Sequence, residues 1–204
     1  MNALASRLML MLLFTPPAFA ASTTDLTVKG SITPSACAPL VSGGGVIEFG
    51  KMSAKSLNAE QHTVLPNQSM QLSVRCEGPT FFTLNTIDNR TGSSANHDHW
   101  HGLGMTPNDE KLGGTAFHLY TPVADGIAAT IITSSDGGVT WEPTNQLNHM
   151  KLTAVAIGDQ RLPIAVRDFD AEIRLYTHVA PADTLTLLDE VPIDGHATVQ
   201  LKYL

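Results

Sequence analysis

The chain has little of what most site chemistries require. Charged residues make up 15% of it and aromatic residues 6%. No stretch gathers Lys or Arg, and 12 of these stand against 19 Asp and Glu for a net charge of −7. Such a surface repels phosphate backbones, which argues against nucleic acid as a partner. No segment reaches the ~20 apolar residues a spanning helix needs, so no integral membrane protein is expected. After residue 20, no window keeps helical spacing for three turns. There is no Gly-x-Ser-x-Gly elbow, no His-Glu-x-x-His and no phosphate-binding glycine loop. Asp168 with Asp170, and Asp189 with Glu190, come nearest to paired carboxylates, and acidic groups at turns and strand edges are usually solvated. Neither an enzyme activity nor a cofactor is expected.

Cysteine is scarce too, with only Cys37 and Cys76. Both follow a segment that reads as an export leader, residues 1–20. Arg7 precedes an apolar run over residues 8–14, Pro16 and Pro17 break it, and Ala18-Phe19-Ala20 has the small-x-small spacing that signal peptidase accepts. Cleavage is predicted after Ala20, with Ala21 as second choice. Arg7 is the leader's only charged residue, so the exported chain carries a net −8 (from −7). An even cysteine count in an oxidising compartment predicts one disulfide, Cys37–Cys76. Closing a loop of roughly 40 residues is worth at most about 4 kcal/mol.

What the chain does have is alternation. Ala197, Val199, Leu201 and Tyr203 alternate with Thr198, Gln200 and Lys202, which predicts a strand to the end of the chain. Chain ends fray unless tied down, so this strand should have neighbours on both sides, one of them from another molecule. Leu26, Val28, Gly30 and Ile32 share one face of an extended stretch near the other end. Met70, Leu72, Val74 and Cys76 alternate with polar residues and place Cys76 inward. Residues 34–39 read as a break, Gly43-Gly44-Gly45 as a turn, and 46–49 as a short strand. Further strands are predicted over 63–65, 81–84, 117–120, 128–133, 152–157, 162–166, 171–179 and 185–188. Residues 85–114, rich in Asn, Asp, Gly and His, read as a long loop. Many short strands with turn chemistry between them predict an all-β sandwich.

With these residues together, the chain resembles a pilin of the bacterial chaperone-usher family. The stretch Leu26-Thr27-Val28-Lys29-Gly30-Ser31-Ile32 is similar to the N-terminal extension of such subunits. Cys37 and Cys76 sit at their cysteine positions, and Tyr203 at their penultimate tyrosine. Trp100-His101-Gly102-Leu103-Gly104, with Lys111-Leu112-Gly113-Gly114, resembles a fimbria-like branch of undefined function. Where the family usually has a glycine before its final strand, this chain has Val191, with Gly195 the nearest glycine.

The resemblance implies an immunoglobulin-like (pilin-type) sandwich lacking its last strand. Residues 1–20 would be the leader, 21–32 a donor extension running into the first strand, and 33–204 the sandwich. It implies a structural subunit of a surface polymer, in the periplasm in transit and then on the fimbrium. The partners would be a periplasmic chaperone, an outer-membrane usher and other fimbrial subunits. Leu26, Val28, Gly30 and Ile32 would enter a neighbour's groove beside Ala197, Val199, Leu201 and Tyr203 by strand addition. In the contrasting arrangement, residues 26–32 and 197–204 are the first and last strands of one complete sandwich.

One cluster invites different chemistry. If extended, His97, His99 and His101 share a face, and three imidazoles so spaced suit zinc or copper. A free periplasmic binding protein using that site is the rival reading. The turn-like flanks instead favour a solvated loop, with Trp100 anchoring it.

Overall fold

The computed structural model describes Thr27 and residues 36–204. The expected leader and the expected donor residues Leu26, Val28, Gly30 and Ile32 lie outside the described residues. Thr27 is exposed and in no regular element. The fold occupies the unit Pro34–Leu204.

Among the described residues thirteen strands follow one another: β1 (Cys37–Val41), β2 (Thr63–Val64), β3 (Gln68–Thr80), β4 (Phe82–Asp88), β5 (His101–Gly102), β6 (Gly113–Ala124), β7 (Ile127–Ala128), β8 (Thr130–Ser134), β9 (Glu142–Pro143), β10 (Gln146–Leu147), β11 (Leu152–Ala156), β12 (Val166–Val179) and β13 (Ala197–Tyr203). Three 3-10 turns, Ser42–Gly45, Ala54–Ser56 and Ala182–Thr184, are the only helical pieces among the described residues. None is long and apolar enough to cross a membrane. One sheet runs β1-β3-β12-β6-β10, with β2 on β12 and both β5 and β7 on β6. The other runs β13-β4-β11-β8-β9, and every strand pairing is antiparallel. The protein is an all-β, two-sheet sandwich.

Alternation built the core as expected. Along β3, Leu72, Val74 and Cys76 are buried; along β12, Phe169, Ala171, Ile173 and Leu175 are. They meet Phe82 and Leu84 of β4, Ile131 of β8 and Val155 of β11 between the sheets. Phe82 packs edge-on to Phe169 with ring centroids 6.4 Å apart, a geometry worth about 0.5–1.5 kcal/mol beyond burial. Cys37 lies opposite Cys76 in the β1–β3 ladder and is joined to it by the disulfide. A separate small core of Leu65, Leu103, Leu112, Val179, Ala180 and Leu185 sits beneath irregular chain.

Several expected boundaries moved. Residues 46–49, 162–165 and 185–188 form no strand; Val46, Leu162 and Leu188 are exposed, and the apolar side chains that are covered pack from irregular chain rather than from a ladder. Ile47 and Ile164 pack on the main core, while Phe49, Leu185 and Leu187 serve the smaller one. The expected break at 34–39 is partly strand, since β1 begins at Cys37 and carries Pro39. Glu77 N–H donates to Ala36 O, so strand alternation turns the backbone of Pro39 away from β3. A proline without N–H is tolerated on such an edge. β4 runs to Asp88, past the expected loop start at Asn85, because Thr86 and Asp88 are buried against partners from 101–102.

Candidate functional site

β13 makes one ladder, with β4, over all seven of its residues. Asn89 N–H donates to His196 O and Leu204 N–H to Phe81 O, at the two ends of that ladder. Antiparallel alternation then turns Thr198, Gln200 and Lys202 towards β4 and the backbone groups of Ala197, Val199, Leu201 and Tyr203 towards the other edge. Among the described residues no strand pairs with that edge. β1 is likewise the edge of its sheet, with the backbone of Cys37, Pro39 and Val41 facing outward. The two bare edges are tied at one end, where Cys37 N–H donates to Tyr203 Oη at 3.0 Å.

Between these edges lies an open cleft of about 470 Å³. Pro39, Val41 and Ile47 line the β1 side, and Ile193, Ala197 and Val199 the β13 side. Phe117, Ile173 and Leu175 form its floor, so the cleft reaches the main core. A second cavity of about 520 Å³ shares Ile47, Phe49 and Ile193 with the first. Lys51, whose Nζ lies 2.9 Å from Glu190 Oε2, is part of its rim. Of the four residues expected beside a groove, Ala197 and Val199 line the cleft, Leu201 packs with Val199 against the core, and Tyr203 holds the closed end.

The histidine cluster is not the extended row that a metal would need. Trp100 N–H donates to His97 O at 2.9 Å, closing a turn, and the His97 and His99 rings stack at 5.3 Å. His101 instead enters β5 and is 1% exposed. Its ring stacks on Phe117 at 4.5 Å, and its Nε2 lies 2.7 Å from Thr86 Oγ1. Among the described residues, no group of three His, Cys, Asp or Glu side chains is placed to hold a metal ion. Trp100 does anchor the loop, with its ring 4.8 Å from that of His178 on β12. Burial, aided by neighbouring His149 and opposed by Asp88, lowers the pKa of His101 to about 4. Burial also lowers those of His99, His118 and His178.

The two glycine-containing motifs pair with each other, Gly102 opposite Gly114 and His101 opposite Thr115. A Cβ on Gly102 would collide with Ser93 Oγ and the Arg90 carbonyl oxygen, and one on Gly113, at φ 156°, with the His178 carbonyl oxygen. Backbone approach, not flexibility, demands glycine there. Of the carboxylates posed from sequence, Asp168, Asp170 and Glu190 are held in ion pairs. Asp170 binds Arg75 at 2.8 Å and Asp168 lies 3.6 Å from it. Hydrogen bonding to Arg75 lowers the Asp170 pKa.

Sequence comparison adds relatives. Residues 26–101 match the family described as "Protein of unknown function (DUF1120)". The chain is similar to Protein GltF of Escherichia coli (strain K12), 23% identical over 224 residues covering 89% of this chain and 88% of that protein. It is also similar to Uncharacterized protein YhcF of the same organism, 30% identical over 80 residues, 39% of this chain and 34% of that one. None of these descriptions names a fimbrial role.

Proposed function

We propose that this chain is a structural subunit of a fimbria-like surface polymer in which a neighbour's extended segment fills the cleft between β1 and β13. The observation behind this reading is the bare inner edge of β13 over apolar floor residues. An unpaired edge beside open apolar surface is an aggregation hazard, and a donated strand removes both faults together. The segment 22–32, with Leu26, Val28 and Ile32 on one face, has the pattern such a cleft accepts. Each larger side chain buried contributes roughly 1.5–3 kcal/mol, and the ladder fixes register. A chaperone would guard the cleft during export, and an usher would oversee the exchange.

Titrating the mature chain with a synthetic peptide of residues 22–32 tests the reading. The expected outcome is suppressed aggregation and a higher Tm as the peptide binds. A chain that is monomeric, folds cooperatively alone and ignores the peptide is instead a self-sufficient β domain.

A further inference from the structure

Part of the β13 side of the cleft lies outside any strand. Residues 193–196 precede β13, lie in no strand and still supply Ile193, Gly195 and His196 to the cleft wall. The loop between β4 and β6 holds them. Asp194 N–H donates to Leu103 O at 3.0 Å and Asn89 N–H to His196 O at 3.0 Å. A Cβ on Gly195 would stand 3.0 Å from Leu103 Cδ2, so Gly195 packs closely on the Leu103 side chain.

Arg90 is the centre of this support. Its Nη2 and Nε donate to Asp194 Oδ2 at 2.6 and 3.0 Å, and Nε also to the Asp194 carbonyl at 3.0 Å. Its own N–H donates to Asp88 Oδ1, while Asp88 Oδ2 accepts Gly102 N–H. One buried carboxylate therefore fixes Arg90 and β5 together, and the same loop sends His101 and Leu103 into the cleft wall.

We infer that Arg90 is a positioning residue for the strand that enters the cleft, setting residues 193–196 at the spacing from β1 that the strand requires. This rests on the strand-donation reading above. It also gives the chain between β4 and β6, residues 89–112, a purpose, as a strut behind one side of the cleft.

Calorimetric titration of the peptide 22–32 into the full mature chain, its Arg90→Ala and Asp194→Asn variants, and the swapped pair Arg90→Asp with Asp194→Arg, tests the inference. Each single variant should weaken binding about five-fold, the scale of one charge-assisted contact, with Tm and far-UV spectrum near wild type. The swap should restore most of that loss, which general destabilisation would not do. Arg174→Ala, removing an ion pair with Glu172 on β12, should leave peptide affinity unchanged. Single variants that bind like wild type, or a swap no better than either single, overturn the role of Arg90 and leave strand donation standing. A wild-type chain that binds no peptide overturns both.

Discussion

Tyr203 Oη accepts the Cys37 N–H at 3.0 Å, so β13 and β1 meet across two different sheets through one side chain. β1 has its disulfide and five ladder positions to hold it to β3, but this bond is what holds it to β13. Tyr203→Phe should therefore destabilise the chain by about 1 kcal/mol, the net worth of one hydrogen bond. Urea titration would report this, together with faster exchange of the Cys37 amide. An unchanged amide would mean that another group satisfies it.

The disulfide gives a larger effect by a different route. It spans a sequence separation of 39, and opening such a loop costs about 2–4 kcal/mol, mostly through the unfolded chain. Cys37→Ser with Cys76→Ser should lower stability by that amount. It should also weaken binding of the 22–32 peptide, because β1 forms one side of the cleft. Reduction that leaves Tm unmoved would contradict the prediction.

Stability should fall on acidification below neutrality. His101 takes up a proton at about pH 4 when folded, against 6.5 for the ordinary side chain. A lowered pKa means the folded state resists protonation, so its contribution is intact above about pH 6.5 and lost as pH falls towards 4. The shift corresponds to about 3 kcal/mol. His99, His118 and His178, shifted the same way, add to the slope. Thermal melts from pH 7 to 4 should show this decline, and His101→Gln should flatten part of it. Parallel profiles for the two proteins would exclude His101 as a source.

Gly102→Ala should destabilise by about 1–3 kcal/mol, as expected where new atoms are forced into a filled site. Its Cβ would meet Ser93 Oγ and the Arg90 carbonyl, and backbone cannot yield as a side-chain end does. A melt within a degree of wild type would show that the loop has more room than its contacts imply.

Strands whose apolar residues alternate were readable from sequence, and β3, β12 and β13 are the clearest. Alternation records which face is buried, so it identified Leu72, Val74, Val199 and Leu201 without their neighbours being known. It failed where burial comes from irregular cover. Phe49 and Leu185 are apolar for the sake of the small core and make no ladder. Thr86 and Asp88 misled in the opposite sense, being polar yet buried because His101 and Gly102 satisfy them. The histidine row was assumed extended, but the turn at His97–Trp100 separates His101 from the other two. Arg90 gave no signal at all, since its partner Asp194 is 104 positions away.

The open edge makes a prediction at single-residue resolution. In β13 the amides of Thr198, Gln200 and Lys202 face β4, while those of Val199, Leu201 and Tyr203 face the unpaired edge, so neighbouring residues differ in protection although all belong to one regular strand. Hydrogen exchange on the mature chain without peptide should alternate along β13, slow at even positions and fast at odd ones. Adding the 22–32 peptide should slow the odd positions selectively, since only they have a free hydrogen-bonding edge to offer a new strand. Uniform protection before any peptide is added would mean that the edge is already paired, and strand donation from a neighbour would then have no place to act.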